Sequence, residues 1–100
     1  MDISALRAEL KVPGGKLIRI ECAVKNGKIV SAKITGDFFM HPEETINSLE
    51  KNLVGSSISD KDIERHVNES LKADITLIGA SNADFTSVII QAIRGSPNIG

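Results

Sequence analysis

The sequence predicts an α+β domain, an antiparallel β-meander of three to four strands followed by about three helices packed on one face of the sheet. Three observations carry that expectation. Apolar and polar residues alternate through the first third of the chain, two glycine-containing turn signals interrupt the alternation, and after Pro42 the apolar spacing changes to that of helices. Strands that precede helices, rather than alternating with them, place the helices together on one side.

Leu6, Ala8, Leu10 and Val12 alternate with Arg7, Glu9 and Lys11, the period of a half-buried strand. Ile3, Leu6 and Leu10 would also fit a helix face, but the strand is the preferred reading. Val12-Pro13-Gly14-Gly15 then suits a type II turn, with Pro13 fixing φ and Gly14 supplying the positive φ. A hairpin follows, whose second arm runs from Lys16 to Lys25. Asn26-Gly27 provides a two-residue loop into a third strand from Lys28 to Thr35. Ile18, Ile20, Cys22 and Val24 are expected to face the core together with Val30, Ala32 and Ile34, and Phe38 to Met40 is the candidate fourth strand.

The first helix is expected to open with Pro42 at its first position and Glu43 and Glu44 at the positive end of the macrodipole. Ile46, Leu49 and Leu53 form its buried stripe, and Gly55 stops it. Ser59 caps a second helix, with Asp60 and Asp62 in its first turn and Ile63, Val67 and Leu71 on one face. A third runs from about Asn82 to Arg94, with Phe85, Val88, Ile89, Ala92 and Ile93 at helical spacing before Gly95. Ala73 to Ser81 fits neither period. Residues 1–95 are read as a single domain and 96–100 as a flexible tail.

With 100 residues, 41% hydrophobic, there is chain enough for one core and not for two. No apolar run reaches the roughly 18 residues of a membrane span, and the N-terminus lacks a basic region followed by an apolar stretch. A cytoplasmic location is therefore expected, with no membrane or nucleic-acid partner. A single cysteine, Cys22, lies in the strand pattern and reads as a buried apolar residue. The net charge of −1 divides into +4 over residues 1–36 and −5 over 37–100, which reads as ordinary solvated faces.

No phosphate loop, Cys-x-x-Cys, His-x-x-x-His or Gly-x-Ser-x-Gly motif is present. His66 is expected at a solvated helix surface and His41 ahead of Pro42, so no metal site is expected. Adjacent Glu43 and Glu44 point in different directions on a helix and make a poor carboxylate pair. Two loops stand out instead. In Lys11-Val12-Pro13-Gly14-Gly15-Lys16, two lysines flank a turn whose glycines let backbone approach a neighbour closely. In Thr35-Gly36-Asp37-Phe38-Phe39-Met40, adjacent phenylalanines in extended chain point to opposite sides, so one is expected to be exposed as a contact residue.

At these loops the sequence resembles the C-terminal accessory domain of lipoate-protein ligases. The resemblance runs from Lys11 to Gly55, with PGGKL and GDFF as a fairly specific pair, and more loosely through the IGASNADF stretch from Ile78 to Phe85. It implies a small domain that works with a large one. In such ligases the large domain binds lipoate and ATP, makes lipoyl-adenylate and transfers the lipoyl group to acceptor domains. The small domain serves chiefly the activation step. Without the large domain's lipoate and nucleotide motif, this chain is expected to be the separately encoded, archaeal-type subunit, inactive alone and joined to a large catalytic subunit in a heterodimer. Cofactors bound by this chain alone are expected to be none; ATP, magnesium and lipoate would be used by the assembled ligase.

The resemblance implies that Lys11, Pro13, Gly14, Gly15 and Lys16 approach the nucleotide end of the partner's site, and that Gly36, Asp37, Phe38 and Phe39 dock onto the partner. Small ligase domains also resemble iron–sulfur scaffold proteins in fold, but one cysteine cannot build a cluster. Two other readings remain: a stand-alone small-anion or protein-binding module using the basic hairpin, and a small hydrolase or transferase, for which no nucleophile and base can be named.

Overall fold

The computed structural model describes residues 3–72 and 74–94. The expected stop at Gly95 and tail at 96–100 lie outside the described residues. Strands β1 (Ser4–Lys11), β2 (Leu17–Lys25) and β3 (Lys28–Gly36) form an antiparallel sheet in the order β1-β2-β3. The turns are those the sequence calls for. Gly14 has φ 70° and Gly15 N–H donates to Val12 O at 2.8 Å, while Asn26 and Gly27 take φ 54° and 75°, the paired positive values of a two-residue hairpin loop.

Alternation then sorts the faces. Ile18, Ile20, Cys22 and Ile34 are buried beneath the helices, and Arg7, Glu9, Arg19 and Glu21 lie on the opposite face, with ion pairs Arg19–Glu9 (2.8 Å) and Arg7–Glu21 (3.8 Å). These exposed pairs add little stability. The expected inward Val30 is corrected: it is 42% exposed, and Ile29 is buried in its place. Ala23 pairs with Ser31 but Val24 pairs with Ile29, so Val30 is the extra residue of a β-bulge. One added residue exchanges the two faces of everything beyond it.

The short strand at Phe38 to Met40 is also corrected. β4 (Phe39–His41) does not extend the meander but pairs with β5 (Thr76–Ile78), which comes from the segment that fitted neither period, in a separate two-stranded sheet.

Helix α1 (Thr45–Leu53) begins later than expected. Pro42, Glu43 and Glu44 form a tight turn ahead of it, with Thr45 N–H donating to Pro42 O (3.1 Å) and Ile46 N–H to Glu43 O (3.3 Å). The two glutamates thus precede the helix rather than occupy its first turn. Gly55, at φ 91°, follows the helix, and its N–H reaches across to Ile29 O at 2.7 Å. Helix α2 (Asp60–Ser70) is capped by Ser59, whose hydroxyl accepts from Asp62 N–H at 3.2 Å. Helix α3 (Asn82–Ile93) has a reciprocal cap: Ser81 Oγ accepts from Asp84 N–H and Asp84 Oδ2 accepts from Ser81 N–H.

Leu49, Leu53, Ile63, Val67, Phe85, Val88 and Ile89 join the strand residues in one core. Each contributes about 1.5–3 kcal/mol by leaving water. Helix α3 packs across β1 and β2, and α1 against β3.

Candidate functional site

The two loops singled out in the sequence meet at one end of the sheet, and a third segment joins them. The hairpin loop is closed by Val12 N–H to Lys16 O (3.0 Å) and tied to the loop after β5 by Lys16 N–H to Gly79 O (3.1 Å). A side chain on Gly15 would strike Gly79 O, and one on Gly79 would strike the stem of Lys16. Gly15 thus lets one backbone approach another closely, and Gly79 makes room for the Lys16 side chain.

The second loop is clasped from the other side. Asp37 Oδ1 accepts from Leu17 N–H at 2.8 Å, and Asp37 N–H donates to Leu17 O at 3.2 Å. The Asp37 carboxylate and amide thus both engage the Leu17 backbone. Gly36, the last residue of β3, allows the clasp: a Cβ there would collide with Leu17 O and the Phe38 ring.

Phe38 and Phe39 part as the extended backbone requires. Phe38 packs edge-on against Phe85, with ring centroids 5.0 Å apart and planes at 85°. Phe39 points outward and is 53% exposed. Directly across the β4–β5 pair stands Ile78, 57% exposed. Neither Ile78 nor Gly79 was among the site residues expected from the sequence. The signal available was the IGASNADF stretch, but the segment had no period to place it beside the hairpin.

The assembled end is thus an apolar pair, Phe39 and Ile78, beside a rigidly held loop that carries Lys11 and Lys16, both exposed. It can bind by apolar contact and offer positive charge; it holds no activated nucleophile. Cys22 is buried away from it, and burial pushes its thiol pKa up, which disfavours the reactive thiolate. Asp37 is occupied with backbone. His41 follows Phe39 on β4 and is exposed. His66, expected to be solvated, instead has only 18% of its side chain exposed. Its Nδ1 is buried without a hydrogen-bond partner and Glu69 Oε1 lies 4.0 Å away. Among the described residues, no three His, Cys, Asp or Glu side chains are grouped as a metal site needs, and no helix is long and apolar enough to cross a membrane.

Residues 5–89 match the family described as the bacterial lipoate protein ligase C-terminus. The chain is 37% identical over 78 residues to lipoate-protein ligase A subunit 2 of Thermoplasma acidophilum, spanning 78% of this chain and 77% of that protein. It is also similar to a solved structure from the T. acidophilum lipoylation system, described as a bipartite lipoate protein ligase and its E2 lipoyl domain. There the TM-score is 0.71 at 30% identity, over 88% of this chain and 94% of that one. On this breadth of match, the chain belongs to the lipoate protein ligase C-terminus family.

Proposed function

We propose that this chain is the non-catalytic accessory subunit of a two-chain lipoate-protein ligase. It joins a large catalytic subunit in a heterodimer and is required there for ATP-dependent activation of lipoate to lipoyl-adenylate, ahead of transfer to lipoyl acceptor domains. The observation that carries this reading is the match, over 77% of its length, to a protein named as the second subunit of such a ligase. A location in the cytoplasm, where ATP is available, belongs to the same proposal.

In this reading the subunit promotes the reaction without supplying an acid, base or nucleophile to it. Phe39 and Ile78 bury against an apolar patch of the large subunit, as exposed apolar anchors do at interfaces. That contact brings the loop from Lys11 to Lys16 to the nucleotide end of the active site. The loop is already ordered by its bonds to Val12 and Gly79, so little freedom is lost when it docks. Lys11 and Lys16 then offset phosphate charge on ATP and magnesium pyrophosphate, and closure excludes water from the adenylate. The chain itself holds no ATP, magnesium or lipoate in this account.

The test is to titrate the large subunit with the unmutated chain and with Lys16→Ala and Phe39→Ala variants, following complex formation and lipoate activation. Phe39→Ala should weaken the complex, and Lys16→Ala should lower activation within an intact complex. Variants that match the unmutated chain in both would overturn the assignment. Useful affinity of the isolated chain for small anions, with no effect on the ligase, would favour a stand-alone binding module.

A further inference from the structure

The two edges of the three-stranded sheet are finished differently. On β3, Glu50 Oε2 accepts from Ile34 N–H (2.7 Å), Ser56 O accepts from Ile29 N–H (2.9 Å), and Lys28 bridges to Ser57. That edge is closed by α1 and the chain after it. β1 is the other edge, and among the described residues nothing hydrogen-bonds its outer side. An open edge of eight residues is a template for another strand.

The backbone phase of that edge can be read from the hairpin. Val12 N–H donates to Lys16 O in continuation of the register that pairs Lys11 with Leu17, so even-numbered residues of β1 exchange their bonds with β2. The N–H and C=O groups of Ala5, Arg7, Glu9 and Lys11 therefore point outward. Their side chains lie on the solvated face, and Leu6, Ala8 and Leu10 lie, partly buried, on the core side.

We propose that β1 pairs antiparallel with β1 of a second copy of this chain, centred on Ala8, to form a continuous six-stranded sheet. This register is self-complementary. Arg7 stands opposite Glu9 of the second copy, and Glu9 opposite its Arg7, both through outward-pointing backbone groups. Arg7 already lies beside Glu21, and Glu9 beside Arg19. Lys33 is the next partner of Glu21 on β3. The row across the solvated face then reads Lys33, Glu21, Arg7, followed by Glu9 and Arg19 of the second copy. Positive and negative charges alternate without a break across the joint, which favours this pairing. On the core side, Leu6 meets Leu10 of the second copy, and the small Ala8 sits on the two-fold axis. An isologous joint of this kind closes at a dimer.

The dimer leaves the loop end free and does not depend on the ligase proposal. Sedimentation equilibrium of the full chain, with Arg7→Glu, Glu9→Arg and their equimolar mixture, tests it. Arg7→Glu makes the joint acidic on both sides and Glu9→Arg makes it basic on both. The unmutated chain should dimerise, and each variant alone should dimerise about tenfold or more weakly, because like charges then stand opposite each other twice. The mixture should recover the dimer, since every cross-pair becomes opposite in sign; that recovery also shows that both variants are folded. A monomeric unmutated chain, variants that dimerise unchanged, or a mixture that stays monomeric would overturn the proposal. A fourth result, in which the chain alone is monomeric and Arg7→Glu weakens its binding to the large ligase subunit, would also overturn it and assign the edge to that subunit.

Discussion

The two ends of the sheet are built from the same kinds of residue and do different things with them. At the end holding Asn26-Gly27, glycine answers only a local need. A side chain at Gly27 or Gly55 would meet nothing within 4 Å, and both positions ask only for positive φ. At the end holding Pro13-Gly14-Gly15, three of the four glycines are surrounded. Gly15, Gly36 and Gly79 each admit a backbone or side chain from another segment. The first end is a turn; the second is a junction, where the β1–β2 loop, the β3–β4 link and the loop after β5 are held in contact. What distinguishes a shaped surface from a tight turn is therefore not the presence of glycine but what its missing Cβ makes room for.

The contrast can be broken most forcefully at Gly36. Gly36→Ala drives a Cβ into Leu17 O and the Phe38 ring, and should cost about 2–4 kcal/mol in urea unfolding, as overpacking and backbone strain together do. A cost near zero would mean that the loops are not held as described. Next comes Phe39→Ala, which removes an exposed side chain. It should leave stability within about 0.5 kcal/mol yet weaken binding of the large subunit by about 2 kcal/mol, measured by calorimetry. The same change in both quantities would make Phe39 a packing residue instead of an anchor.

At the opposite end the effects should be smaller and confined to stability. Gly27→Ala places a side chain at positive φ with room around it, so it should cost about 1 kcal/mol and leave ligase activation as it was. The smallest effect concerns acid. The Asp62 carboxyl is held below its ordinary pKa, first by the Ser57 hydroxyl and then by Arg65. A depressed folded-state pKa contributes stability that is present above the unfolded value, near about 4, and is lost as pH falls through the folded value. Asp62→Asn should therefore be slightly less stable at neutral pH and converge with the unmutated chain in acid, which flattens the acid limb of its stability profile. An unchanged acid limb would show that Ser57 and Arg65 do not favour the carboxylate.

Much of this was legible in the sequence, for reasons the structure makes plain. The strands of the meander announce themselves because each has one face in the core and a turn residue at each hairpin end. The division of labour between Phe38 and Phe39 follows from their adjacency alone. Val30 escaped because Ile29 and Val30 are both apolar, so a bulge that moves the phase by one residue leaves the pattern unchanged. The start of α1 escaped because Pro, Glu and Glu suit a preceding turn as well as a first helical turn. Strand β5 has three residues, too few to show a period, and its partner β4 lies far away in sequence. For the same reason the sequence could nominate the two loops but not their meeting at Gly79, which is a long-range contact.

Dependence of one chain on the other is read from lipoyl-adenylate formation from ATP and lipoate by the large ligase subunit, with and without this chain. Adenylate is expected only when both chains are present. Equal activation by the large subunit alone would contradict it.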